Sequence, residues 1–437
     1  MKLNIKNFAK IKEADIIVDG ITVIAGENNT GKSTVGKILF SLFNVLSDID
    51  EKICDERLKE VETTNLNIIL NYISSLDISR STIYRIAINI AKRINSQLRQ
   101  KLDPNSKIQD EVISEIIRSA IEGEGRALKA AVEYASSEMI EELYKNIKEI
   151  LNLPEEKIVK ECISIYFKNV FCSQIQSLSN KDSEEAILTL DIKGKKEQIY
   201  FANNYCRDFI GEINIIHKAI YIDNPFVVDE LSEYNELNLM NEFLKDLLHD
   251  SYKEGAFDGV VETVRTKEKL DNVYGMVQNI VDGEIIVDQK EEFYLKDNNY
   301  DEPISIHNLS TGMKSFVILK MLLEKGSIKN KDVLILDEPE IHLHPQWQIA
   351  YAELIVLLQK QFDLSVVVTT HSPYFVDAIN LFSCKYETDK KVNYYLSSGN
   401  GTNVTIEPVT KKIDLIYKKM ASPIQMLDTL RYELNNK

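Results

Sequence analysis

Residues 26 to 33 read Gly26-Glu27-Asn28-Asn29-Thr30-Gly31-Lys32-Ser33, with the spacing G-x-x-x-x-G-K-S. This is the P-loop pattern, and its chemistry needs these residue types. Gly26 and Gly31 permit a tight turn that points successive backbone N–H groups at phosphate oxygens. Lys32 sets a cation against the β- and γ-phosphates, and the Ser33 hydroxyl is a ligand for Mg²⁺. Contacts to ATP are therefore expected from Gly26, Asn28, Asn29, Thr30, Gly31, Lys32, Ser33 and Thr34. The flanks agree. Ile21 to Ala25 is a continuous apolar run, as a buried strand requires. Val35, Ile38, Leu39, Leu42 and Val45 keep helical spacing, so a helix begins at the lysine with its positive end toward the phosphates.

The chain has 437 residues, enough for one large domain with insertions or for two or three domains. At 44% hydrophobic and 27% charged residues it has the composition of a soluble globular protein. No apolar run reaches the roughly 18 residues of a membrane span, and Met1 to Phe8 alternates like a strand rather than a signal peptide. Cys54, Cys162, Cys172, Cys206 and Cys384 are scattered, with no C-x-x-C, which predicts reduced thiols in a cytoplasmic protein. The formal charge of -16 argues against bulk attraction to nucleic acid.

Three strands are expected before the P-loop: 2–7, 14–18 and 21–25, with Asp19-Gly20 as a hairpin turn between the last two. Residues 47–180 differ in kind. They hold two prolines, Pro104 and Pro154, and long helical patterns such as Ile83, Ile86, Ile90, Ile94, Leu98 and Leu102. This predicts an α-helical insertion between the two parts of a head, 1–46 and 181–437. Within the insertion, residues 78–102 carry Arg80, Arg85, Lys92, Arg93, Arg99 and Lys101 and no acid. A solvated helix face is the commoner meaning of such a run; a surface for nucleic acid or an acidic partner is the other. Strands are expected at 187–192, 198–202, 215–222, 285–287, 292–295, 304–306, 333–336 and 364–368, with a final hairpin of 392–396 and 403–406. Helical segments are expected at 228–280, 309–323 and 346–361, with one or two short helices at the end.

Further motifs carry chemistry. Val333-Leu334-Ile335-Leu336 followed by Asp337-Glu338 is a Walker B pattern: a buried strand delivers a carboxylate to the sheet edge where ligands bind. Asp337 would hold Mg²⁺, directly or through water, and Glu338 would polarise the attacking water. Leu309-Ser310-Thr311-Gly312 heads a helix, and Ser310 and Gly312 there suit a γ-phosphate, although serine at that place is also an ordinary N-cap. His371 follows the strand ending at Val368, where an imidazole can hydrogen-bond a γ-phosphate. His342 and His344 form an H-x-H that would suit a metal if the surrounding motif did not already account for it.

P-loop, L-S-x-G, Walker B and a late histidine, in this order, resemble the ABC-type ATPase heads, a superfamily that includes transporter ATPases and the SMC and RecF groups. Glu338-Pro339-Glu340-Ile341-His342-Leu343-His344-Pro345 and Thr370-His371-Ser372-Pro373 narrow the resemblance to the overcoming-lysogenization-defect (OLD) family and to the stand-alone ATPases of bacterial anti-phage systems, the Septu- and retron-associated ones among them. The resemblance covers roughly 1–46 and 185–420. It implies an α/β P-loop head, a mixed β-sheet with flanking helices, that dimerises head to tail. Two ATP molecules with Mg²⁺ would lie between one subunit's P-loop and the other's Ser310 and Gly312. Glu340 to Pro345 would take the position of the loop that crosses the dimer interface. Met313 departs from the glutamate common at that place. A Q-loop glutamine is not evident; the strand ending at Asp223 is its expected place, with Gln174 a remote second. OLD nucleases carry a further Toprim domain of about 100 residues with an acidic metal site, whereas 66 residues (437 minus 371) follow His371 here, with no D-x-D pair. The expectation is an ATPase that works through a separate effector such as a nuclease or toxin.

Two other functions compete. An SMC- or RecF-like repair ATPase would bind DNA itself, and long coiled-coil arms would favour it; about 130 residues of proline-broken helices are not such an arm. A transporter subunit is disfavoured by the His-Leu-His-Pro motif and by the insertion directly after the P-loop helix. A neighbouring gene for a nuclease or reverse transcriptase would favour the defence ATPase, and one for a membrane permease the transporter.

Overall fold

The computed structural model describes residues 1–74, 79–102, 108–123, 125–177, 185–211, 215–231, 238–249, 273, 275–278, 280–288, 292–399 and 403–435. They divide into two compact units, 1–47 with 163–437, and 48–162.

In the first unit, eleven strands form one sheet. They are β1 (Lys2–Phe8), β2 (Ile11–Ile17), β3 (Ile21–Gly26), β4 (Ala186–Ile192), β5 (Lys195–Ala202), β6 (Tyr205–Ile210), β7 (Ala219–Ile222), β11 (Val333–Asp337), β12 (Ser365–Thr370), β13 (Val392–Gly399) and β14 (Val404–Pro408). The order across the sheet is β6-β5-β4-β1-β2-β14-β13-β3-β12-β11-β7. The half carrying β13, β3, β12, β11 and β7 is parallel. All six residues of β3 and all four of β7 are buried, the signature of strands covered on both faces. The other half, β6 to β2, is antiparallel, and β4 and β5 alternate buried and half-buried residues as one-sided strands do. A separate three-stranded sheet, β10-β9-β8, is made by Glu284–Val287, Phe293–Lys296 and Ile304–Ser305.

Helix α1 (Lys32–Leu46) leaves the P-loop, as its pattern requires. The signature segment opens α8 (Thr311–Glu324); α9 (Pro345–Phe362) and α10 (Pro373–Lys385) precede and follow β12; α11 (Asp414–Met420) and α12 (Ser422–Asn435) end the described chain. Of the expected helical segment 228–280, Leu239–His249 is helical (α7) and so are residues 273, 275–278 and 280; Pro225–Glu230 is a 3₁₀ turn, and residues 250–272 lie outside the described residues.

The second unit packs helices α2 (Ile49–Ile73), α3 (Arg80–Lys101), α4 (Asp110–Glu122) and α5 (Gly125–Leu151), around Ile83, Ile86, Ile90, Ile94 and Leu98 with Ile113, Ile117, Leu143 and Ile147. Helix α6 (Glu155–Phe171) follows. One basic residue of α3 is answered from α2, where Arg99 pairs with Asp55, and Asn95 donates to Glu62 at 2.5 Å. Arg80, Arg85, Lys92 and Lys101 remain exposed.

Several expectations need correction. Asp19-Gly20 does not join a hairpin. β2 pairs with β1 and β14, while β3 lies between β13 and β12. A six-residue strand buried throughout needs covered partners on both edges, and these come from the far end of the chain. The true hairpin is β1–β2, whose turn holds Ala9 at a φ of 48°. Only 219–222 of the apolar run 215–222 is strand. β6 and α10 were not expected. The sign of α10 lay in Ser372-Pro373: the Ser372 side chain caps it by accepting from Phe375 N, and proline stands in its first turn.

One buried ion pair fixes the head of α8. Lys314, 3% exposed, donates to both carboxylate oxygens of Asp229 at 2.7 Å and to His307 O at 3.3 Å. Lys314→Ala would strand the Asp229 charge, and urea unfolding is expected to show a loss of about 3 kcal/mol. The same substitution made in Asp229→Asn should cost less by about 1 kcal/mol or more. Additive losses would show that the two residues stabilise α8 independently.

Candidate functional site

The P-loop leaves β3 at Gly26 and enters α1 at Lys32. A Cβ on Gly26 would come 2.5 Å from Ser397 O, and Gly31 takes a φ of 75°, so neither position tolerates a side chain without distortion. Ser397 donates to Thr30 O at 2.5 Å and Thr30 Oγ1 to Glu27 O at 2.7 Å, which fix the loop from both sides. Lys32 is 3% exposed. Its ammonium donates to Gly26 O at 3.1 Å and Glu27 O at 2.9 Å and lies 3.2 Å from Glu338 Oε1.

A cavity of about 380 Å³ opens over the loop, lined by Asn29, Thr30, Gly31, Lys32, Ser33, Thr34 and Lys37, by Glu338, and on its other side by Ala9, Lys10, Val170, Phe171, Cys172 and Gln174. Lys10 also donates to the Asn29 side chain. A glycine-bounded loop, a helix N-terminus and the Lys32 cation make a donor set that fits a polyphosphate.

The carboxylates arrive on parallel strands. Asp337 ends β11 and accepts a hydrogen bond from Tyr221 OH at 2.6 Å and another from the Thr369 hydroxyl. Glu338 follows at a φ of 50°, an unusual conformation for a side-chain-bearing residue, held because its N–H donates to Thr369 O at 3.1 Å. His371, 44% exposed, puts Nδ1 3.7 Å from Glu338 Oε2 and 3.5 Å from Glu340 Oε1. Among the described residues, no group of three or more His, Cys, Asp and Glu side chains converges on a metal-sized site. Ser33 lines the cavity, whereas Asp337 does not, and both Asp337 oxygens accept hydrogen bonds, from Tyr221 and Thr369. His344 is used otherwise: it caps α9 by accepting from Gln346 N at 3.4 Å.

The structure thus gathers Asn29 to Thr34 with Glu338 in one cavity, and His371 beside Glu338. Gly26, Asn28, Asp337 and His371 do not line that cavity themselves. Ser310 and Gly312 do not line it either. Ser310 caps α8, accepting from Met313 N at 3.3 Å, and a Cβ on Gly312 would meet Trp347 Cε3 at 3.0 Å and His342 O at 3.1 Å. Gln174 lines the cavity; Asp223 does not. Sequence reasoning missed Tyr221, Thr369 and Lys37. Their signals were weak: a tyrosine inside an apolar strand, a threonine two residues before His371 and a lysine on the P-loop helix.

The profile described as AAA ATPase domain matches residues 1–376. The chain belongs to the AAA ATPase domain family. It is 32% identical over 135 residues to Septu protein PtuA of Bacillus thuringiensis, which covers 22% of this chain and 33% of that one. It is 22% identical over 437 residues to Septu protein PtuA of Bacillus mycoides, covering 88% of this chain and 57% of that one. The chain therefore spans between a third and a little over half of these relatives' length. Among solved structures, the SMC head domain from Thermotoga maritima aligns over 93% of this chain and 98% of its own, at 11% identity and a TM-score of 0.37. The fold is that of a P-loop ATPase head with a mixed sheet and a large helical insertion. No helix among the described residues is long and apolar enough to cross a membrane.

Glu338 sets two effects against each other. Asparagine tolerates a positive φ better than glutamate, but it leaves the buried Lys32 cation without its carboxylate. The lost charge is the larger effect, so Glu338→Asn is expected to melt several degrees below wild type, with ATP turnover lost. A melting point at or above wild type would mean that the ion pair with Lys32 adds little to stability.

Proposed function

We propose that this chain is the ATP-hydrolysing subunit of an anti-phage defence assembly, using an ATP-dependent dimer to control a separate effector protein. The observation that carries the hydrolytic part is the contact of Lys32 with Glu338 at 3.2 Å, with His371 3.7 Å from the same carboxylate. In this reading, Lys32 and the N–H groups of Asn29 to Thr34 hold the β- and γ-phosphates. Ser33 and Asp337 would hold Mg²⁺, which when bound neutralises charge on the phosphate oxygens. Glu338 accepts a proton from the attacking water, and His371 donates to the γ-phosphate. The products are ADP and phosphate.

Dimerisation is supported by the separation of the signature from the P-loop cavity: Ser310 and Gly312 would complete a second copy's site. The defence role rests on the PtuA relatives and on the Glu338–Pro345 and Thr370–Pro373 motifs. Direct DNA binding through α3 gains less support, because Asp55 offsets Arg99.

Lys32→Ala is expected to abolish nucleotide binding, and Glu338→Gln to bind ATP and retain it. By light scattering, ATP-saturated Glu338→Gln should have the mass of a dimer; a monomer would rule out the shared-site mechanism. Ser310→Arg should stop turnover in a folded chain, lowering stability by no more than the loss of its cap on α8, about 1 kcal/mol. Mixed with Lys32→Ala it should regain partial activity, since each mixed dimer holds one intact site.

A further inference from the structure

We propose that Glu340 is the positioning residue of this centre: its buried carboxylate holds the His371 imidazole through Nδ1 and orients it beside Glu338. This inference rests on the catalytic reading of His371 given above. Glu340 is 3% exposed. One oxygen, Oε1, accepts the Thr370 hydroxyl at 2.5 Å and the His371 backbone N–H at 2.8 Å, and it faces His371 Nδ1 at 3.5 Å. The other oxygen, Oε2, is buried with no hydrogen-bond partner. An acid placed there is costly, and burial pushes its carboxyl up from the usual range.

A cap for the backbone N–H and the threonine does not require a charge; a neutral amide oxygen would serve. A carboxylate does something a neutral amide cannot: its charge favours the imidazolium, in which Nδ1–H faces Glu340 and Nε2–H, across the ring, is left to donate to phosphate. The charged groups around the imidazole are Glu338 and Glu340, both from the segment after β11, with Lys32 of α1 reaching Glu338. Glu338 ends at the imidazole and at the lysine; Glu340 contacts the histidine by both backbone and ring, and so fixes its place.

Glu340→Gln separates the two roles, because it keeps the acceptor and the volume and removes the charge. In ¹⁵N-histidine NMR spectra of the full chain, with the His371 signals assigned by their loss in His371→Gln, the Nδ1 resonance is expected to lose its protonated shift. ATP turnover should fall about tenfold with nucleotide affinity unchanged. Glu340→Asp, which restores the charge, should recover part of both. Unchanged His371 ¹⁵N shifts and wild-type turnover in Glu340→Gln would overturn the proposal and leave Glu340 as a cap alone. Should Glu340→Gln fail to fold, the wild-type ¹⁵N shifts with ATP bound decide: both ring nitrogens of His371 must carry protons, and an unprotonated Nδ1 overturns the proposal. His371→Ala distinguishes the two failures. Wild-type turnover there defeats the catalytic reading of His371, whereas slow turnover there beside normal turnover in Glu340→Gln defeats only the role of Glu340.

Discussion

The Lys32 ammonium is the point on which the structure turns. It is almost fully removed from water, held by two carbonyls of its own loop and by the Glu338 carboxylate. A cation so placed is tolerable only if its donors are met and its charge is balanced. The carbonyls come from the loop itself. The charge comes from a residue 306 positions away (338 minus 32), so the contact demands a sheet that brings β3 and β11 close. Strand β12 lies between them, parallel to both, and this order places all three C-terminal ends on one edge.

That edge explains the other contacts. β7, β11 and β12 are neighbours or next neighbours, so Tyr221 and Thr369 reach Asp337 from either side. The chain turns sharply after Asp337, and the turn is held by the Glu338 N–H on Thr369 O rather than by a glycine. A side-chain-bearing residue in that conformation costs of order 1 kcal/mol or more. The same turn carries Glu340 back to the His371 backbone, so one strained residue and one buried acid hold the segment that follows β11.

The helical unit at 48–162 has a different basis. Its core is a regular set of isoleucines and leucines at helical spacing. Its surface charges are read properly only in pairs. Six basic residues between positions 78 and 102 look one-sided along the chain, yet the neighbouring helix answers Arg99 with Asp55. Exposed pairs of this kind contribute little to stability, but they alter the field that a partner would meet.

By itself the sequence determined the P-loop, the Walker B strand, the signature helix and the histidine, because each is a local pattern: a glycine spacing, a buried apolar run, an N-cap before a periodic segment. The starts of α1 and α8 at Lys32 and Thr311 follow from those local rules. The sequence also held the helical insertion, through its isoleucine spacing. Tertiary structure alone decided the rest. Asp19-Gly20 has the chemistry of a hairpin turn, but β3 must be buried on both edges, and the strands that satisfy it come from 365–370 and 392–399. Tyr221 and Thr369 look like ordinary residues along the chain; only parallel pairing across the sheet turns them toward Asp337. Sequence fixes which groups can do chemistry, since that depends on residue type and short spacing. Which groups meet depends on strand order, and that is set by burial summed over the whole sheet.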